Sequence, residues 1–267
     1  MRDEADQLIT TPGSLGVLDR TVDRVPAVGG RATAPGTLVL AAGRHPVTGY
    51  GVSAYPDSVV EAVLLASREG TSMAAVAAAG AGLELVVVDG GRAREDLVDQ
   101  DALDPAAVEE LVGLGRGASA RAGRAGRNVA LGEVGVGNTT VAAALTAACL
   151  GLPAADVVGL GAGADSAMLM QKRDVVARSL ARVRPGPGTA PQQLLAVRLE
   201  PVAASFLVAG QRSRERGHAL VLCELGLEPL LDVRLRAGEG VGAALAVGLL
   251  RAGPSLREQV TRTADPG

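Results

Sequence analysis

Aromatic side chains are almost missing from this sequence: there is no tryptophan, one phenylalanine (Phe206) and two tyrosines (Tyr50, Tyr55) among 267 residues. Binding of single-stranded nucleic acid needs stacking platforms on a basic groove. Neither is present, since the net charge is -3 and acidic and basic residues are interspersed. Lysine is nearly absent too: Lys172 stands alone in a chain that otherwise uses arginine. The two cysteines, Cys149 and Cys223, have no metal-ligand spacing and lie in apolar helical runs. They read as two buried thiols, which fits a reducing, cytoplasmic location. The start, MRDEADQLIT, is acidic and lacks the apolar core of a signal peptide. The longest apolar stretch, 141–158, is broken by Gly151, Pro153 and Asp156, so no membrane span is expected. HExxH, Walker and Ser-His-Asp patterns are absent.

What the chain does have is alanine, valine and leucine, within a hydrophobic content of 48%. Alanine favours helices and valine runs favour buried strands. Thr37 to Gly43, Leu83 to Gly91 and Asn128 to Glu133 read as strands. Ser58 to Gly70 has helical spacing and a glycine stop, and Asp104-Pro105 has the form of a cap followed by a first helical residue. Further helices are expected from about Asn138, over 164–183, to about Arg198, over 214–225 and over 240–252, with a strand at Ala204 to Gly210. This alternation predicts an α/β, Rossmann-like fold with a mostly parallel sheet and helices on both faces. A small helical subdomain from the chain ends completes it. The expected division is an N-terminal helical segment, 1–36, followed by one α/β domain, 37–267.

In such sheets, ligands bind beyond the carboxyl ends of the strands. The stretch LGEVGVGNTT, 131–140, lies there. Its glycines let backbone approach an anion, and the following helix end offers free N–H groups. The same segment would serve equally as a plain strand-to-helix turn with an asparagine cap. GLGAGAD, 159–165, repeats the pattern and leads to Lys172, a compact charge suited to phosphate or else a surface residue. Glu239, between glycines in RAGEGVG, is either a carboxylate stabilised by a helix end or a general base in a pocket. His45 and His218 stand alone and read as cap or surface residues.

Taken in order, TPGSLGVLD (11–19), GVSAYP (51–56), LGEVGVGNTT, GLGAGAD with Lys172, RSRERGH (212–218) and LGLEPLLDVRLRAGEGVGAALAVGLL (225–250) resemble the nicotinate-nucleotide–dimethylbenzimidazole phosphoribosyltransferase family. The likeness covers about 11–252. It implies transfer of the phosphoribosyl group of nicotinate mononucleotide to 5,6-dimethylbenzimidazole or a related azole. Nicotinate is released, and the product is α-ribazole 5'-phosphate for the cobalamin lower ligand. It also implies a cytoplasmic homodimer acting on small molecules, without cofactor, metal, nucleic acid or membrane. By this resemblance, Glu239 is the catalytic base and Glu133 the second pocket carboxylate. Gly135, Gly137, Asn138, Thr139, Gly161, Gly163 and Lys172 would hold nucleotide and phosphate, and Ser53 and Tyr55 would line the azole pocket. The chain departs from the family in two places. Family members carry an Asp-His pair where Ala41 to Val47 reads AAGRHPV. They also have several tens of extra residues near 184–191. The shortened middle opens a second reading, a catalytically silent member that binds nucleotide, azole or a partner protein.

Overall fold

The computed structural model describes residues 13–183 and 201–261. Three parallel strands form its sheet: β1 (Gly36–Arg44), β2 (Leu83–Arg92) and β3 (Asn128–Val134), in the order β2-β1-β3. The connection from β1 to β2 carries α2 (Ser58–Glu69) and α3 (Met73–Gly80); that from β2 to β3 carries α4 (Pro105–Arg124). The second connection runs back across β1. Because such crossovers are right-handed, opposite directions of travel put their helices on opposite faces.

Side-chain alternation along β1 shows the result. Leu38 and Leu40 are fully buried against Ala74 and Ala78 of α3 and against Ala244. Ala42, on the same face, meets Val60 and Leu64 of α2. The opposite face is covered by α4, whose Ala118 and Ala122 are buried. Truncating Leu38 or Leu40 to alanine would cost about 2–5 kcal/mol, as for a well-packed core leucine.

A second layer is helical: α5 (Asn138–Leu150), the short α6 (Ala154–Val157), α7 (Ser166–Arg182) and α8 (Arg216–Glu224). Ala143, Ala144 and Ala147 of α5 pack on Val157, Val158 and Val176. Small alanines bring α5 and α7 close, which fixes where Lys172 reaches. The last helix, α9 (Val241–Gln259), lies on α3 and also holds α1 (Val17–Ala27). Leu18, Val22 and Val25 meet Leu250 there, and the buried Arg257 bonds Asp19 (Nη2 to Oδ1, 3.0 Å) and Asp23. This contact joins helices from the two ends of the described chain.

The sequence located most elements closely. Asp104 caps α4, accepting from Ala107 N at 2.8 Å with Pro105 in the first turn. Two expectations fail. Ala204 to Gly210 is not a strand: Pro201–Phe206 winds into a 3-10 turn, and pairing begins only at its end, where Ala209 O and Gly210 O accept from Leu230 N (2.9 Å) and Leu231 N (3.1 Å) beside an isolated bridge between Gln211 and Leu231. Cys149 is buried as expected, but Cys223 is exposed, on the outward side of α8. The helix expected up to about Arg198 lies outside the described residues. No described helix is long and apolar enough to cross a membrane.

Candidate active site

Strands β1 and β3 are neighbours, with Ala41 opposite Glu133. Their carboxyl ends therefore deliver His45 and the Glu133 loop to one place. The segment before α9 joins them there. Glu239 N donates to Glu133 O at 3.0 Å, a backbone bond that ties the two acidic residues together. This approach is possible only because Gly132 lacks a side chain. A Cβ there would lie 2.7 Å from the Glu239 carbonyl carbon and oxygen and from Gly240 N. A Cβ on Gly240 would lie 2.6 Å from Leu38 Cδ1. Glu239 itself has φ 57, a left-handed conformation that non-glycine residues seldom hold and that concentrates at functional sites.

The Glu239 carboxylate is half-buried and accepts from Ala74 N at 3.1 Å, at the start of α3. Ser72 caps the same helix end through Ala75 N at 3.1 Å. A carboxylate at a helix start was one reading of the sequence, but the helix served is α3 rather than its own. Glu133 accepts from Asn138 Nδ2. Its side chain can be reached from the cleft, yet dense protein surrounds it. Burial, and then the nearby Glu239, raise its pKa above the ordinary glutamate value.

Asn138 is the first residue of α5 and does not cap it; Gly137, at φ 88, takes the cap position. The Asn138 amide spans two partners, Glu133 on one side and His45 Nε2, at 2.5 Å, on the other. His45 is half-buried and its pKa is lowered by burial, against opposing effects of Asn138 and Asp57. Gly135 leaves room for this amide, since a Cβ would meet Asn138 Oδ1 at 2.1 Å.

The next residue, Thr139, begins the second half of the cleft. Lys172 is 3% exposed and donates to Thr139 Oγ1 (2.9 Å) and to Leu160 O (3.0 Å). Burial lowers its pKa, while Glu215 acts in the opposite sense. Gly161 and Gly163 both have φ 71 and wind the loop between Lys172 and the Tyr55 ring. Ser53 Oγ accepts from Tyr55 N at 3.2 Å, which shapes the loop that carries the ring. Asp165 caps α7 through Met168 N at 2.8 Å.

Of the eleven residues named from sequence, Glu133, Glu239, Gly135, Gly137, Asn138, Thr139, Gly161 and Lys172 are joined by these contacts around the end of β3 and the start of α5, while Ser53, Tyr55 and Gly163 form a neighbouring group linked to one another. Sequence reasoning missed Glu215, whose Oε1 accepts from Gly161 N at 2.9 Å and holds the loop from behind. It also left His45 without a role. His218 lies in the first turn of α8, where its Nδ1 accepts from Ser213 N at 3.2 Å. Arg44, next to His45, turns away onto Asp89 and Glu61 (2.7 Å) and does not enter the cleft. Among the described residues there is no cluster of three or more His, Cys, Asp or Glu that could hold a metal.

Comparison with known proteins gives one answer. The family model described as phosphoribosyltransferase matches residues 1–197 and, as a second stretch, 186–267. A nicotinate-nucleotide–dimethylbenzimidazole phosphoribosyltransferase of Thermus thermophilus is 35% identical, covering 96% of this chain and 93% of the relative. One from Deinococcus radiodurans is 36% identical, covering 97% and 88%. The crystal structure of CobT from Thermus thermophilus superposes with a TM-score of 0.87 at 35% identity, covering 96% of this chain and 94% of that one. The Thermus alignment runs over 313 residues, more than the 267 of this chain. The family match also restarts at 186. The shortening therefore falls where the sequence placed it.

Proposed function

We propose, from the premise that this chain belongs to the nicotinate-nucleotide–dimethylbenzimidazole phosphoribosyltransferase family, that it moves the phosphoribosyl group of nicotinate mononucleotide onto 5,6-dimethylbenzimidazole or a related azole. Nicotinate leaves, and α-ribazole 5'-phosphate for the cobalamin lower ligand is the product. The observation that carries this reading is the pairing of Glu133 and Glu239 through one backbone bond of 3.0 Å, beside a glycine-lined cradle with a buried lysine.

The chemistry asks for these parts. Nicotinate departs from a pyridinium and takes the bond electrons with it, so its ring becomes neutral without an acid. The azole attacks the anomeric carbon through one ring nitrogen and must lose the proton on the other, so a carboxylate base is needed. Two carboxylates in one mouth oppose each other's ionisation. Glu239 is assigned as the base facing the azole because the family likeness places it there, and Glu133 stands beside it as the second carboxylate of the mouth. The positive φ at Glu239 and its bond to Ala74 hold that carboxylate in one direction.

Lys172, Thr139 and the backbone of Gly135, Gly137, Gly161 and Gly163, at the start of α5, form the phosphate anchor in this reading. Thr139 and Leu160 occupy two of the three ammonium N–H groups, and the third is assigned to the phosphate. Asn138 faces the ribose side, and Ser53 and Tyr55 line the azole pocket. Anchoring the 5'-phosphate fixes the sugar for in-line attack. The unit is expected to be a cytoplasmic homodimer. Leu131 of β3 is 64% exposed, and light scattering of the purified protein reads the oligomeric state.

Nicotinate release from nicotinate mononucleotide plus 5,6-dimethylbenzimidazole tests the activity. Glu239→Gln is expected to lower kcat by roughly 10²–10⁴-fold, the usual contribution of a general base. Wild-type protein that binds both substrates without releasing nicotinate would instead identify a silent binding protein. Full activity in Glu239→Gln would refute the assigned base.

A further inference from the structure

A string of side chains runs from His45 through Asn138 to Glu133. A carboxylate oxygen in its ionised form only accepts hydrogen bonds, and an amide offers both a donating and an accepting end. Asn138 Nδ2 faces Glu133, so Oδ1 is left for His45, and it lies 2.5 Å from Nε2. An oxygen acceptor at that place requires a hydrogen on Nε2. Each partner thus fixes the orientation of the next.

From this geometry we infer that His45 is a positioning residue: as the Nε2–H imidazole, it orders the Asn138 amide so that its NH₂ is held against Glu133. The inference rests on the reading of Glu133 and Glu239 as the reacting pair. It gives a role to a histidine on a different strand end, one that the assigned chemistry leaves unused.

The surroundings support it. Gly135 leaves the space through which the string passes: a Cβ there would meet Asn138 Oδ1 at 2.1 Å. The His45 pKa is lowered by burial, which keeps the ring neutral, so the ordering does not depend on protonating it. The ionisable groups facing the string are Glu239, from the segment before α9, against Glu133, and Asp57, ahead of α2, against His45. Arg44 is engaged elsewhere by Asp89 and Glu61. The NH₂ contact favours the charged form of Glu133, in opposition to burial and Glu239. Loosening it makes the carboxylate pair take up a proton more readily, and that pair titrates as one unit.

Two measurements test the inference. The first does not depend on turnover. The chain has two histidines, so ¹⁵N spectra of the His218→Gln protein report His45 alone. The Nε2–H tautomer is expected, and an Nδ1–H ring would overturn the proposal even if the enzyme is active. The second is the pH profile of kcat. His45→Leu removes the donor and should move the acid limb upward by about 0.5–1 pH unit, the equivalent of one ordinary hydrogen bond. His45→Gln can still donate from its amide and should restore the limb. A uniform fall in kcat with an unmoved limb in His45→Leu would show a merely structural role and overturn the proposal. A wild type without turnover would fail the assigned reaction, and the tautomer would still decide the string.

Discussion

Gly132→Ala should damage the enzyme without touching any group assigned to substrate. The added methyl would sit 2.7 Å from three backbone atoms, two of Glu239 and one of Gly240, whereas ordinary contact starts at 3.4 Å. Backbone on both sides cannot rotate away, so the 238–240 segment must lift from β3 by about 0.7 Å. Overpacking of this kind costs about 1–3 kcal/mol. For a chain of this size, that lowers Tm by roughly 3–10 °C. The catalytic effect should be the larger one. Glu239 rides on the displaced segment, and misplacing a reacting group by near 1 Å costs on the order of 10²-fold. We expect kcat for nicotinate release to fall by roughly 10–100-fold, with the protein still folded by circular dichroism. Gly113→Ala is the control. Gly113 lies inside α4 and its Cβ would meet nothing within 4 Å. That change should leave kcat alone and add about 0.5–1 kcal/mol of stability. Wild-type kcat and Tm in Gly132→Ala would refute the claim that this close approach sets the position of Glu239.

Three further outcomes follow from the same cleft. Burial and Glu239 raise the Glu133 pKa, so the folded chain holds that proton more tightly than the unfolded chain does. The resulting stability is present at low pH and is lost as pH rises through the raised value. Glu133→Gln should therefore melt above wild type at about pH 8 and close to it at about pH 4, and equal differences at both would contradict the raised value. Lys172→Met should raise KM for nicotinate mononucleotide by roughly 10–100-fold, as expected for a lost charge-assisted hydrogen bond, yet leave turnover of the riboside lacking the phosphate unchanged. An equal effect on both substrates would remove Lys172 from the phosphate. Glu215→Ala leaves Gly161 N without its acceptor at 2.9 Å. Amide exchange at Gly161 should then speed up relative to the sheet, and unchanged exchange would show that the loop does not need this carboxylate.

Short-range rules made the alternating framework legible. The Val/Leu run of β1 and the Asp104-Pro105 start of α4 each state their element within a few residues. The strand expected at Ala204 to Gly210 failed because apolar residues behind a proline wind as readily as they extend. Cys223 failed because an apolar helical run says nothing about which side faces out. In the cleft, the glycine loops and both glutamates were visible as unusual local chemistry, and the family likeness gave them roles. Their partners were not visible. Glu239 with Ala74, His45 with Asn138 and Glu215 with Gly161 are contacts between residues far apart along the chain, and no local pattern in the sequence marks them.

The bond from Glu239 N to Glu133 O has a consequence for how this enzyme can vary. The separation of the two acids is gauged by main chain against main chain, as in a sheet, and not by the reach of flexible side chains from a surrounding wall. Peripheral material can then be lost while the ruler between the acids keeps its length. A chain that lacks a block present in its Thermus relative, as this one does, can keep the pair unchanged, provided Gly132 and Gly240 stay bare.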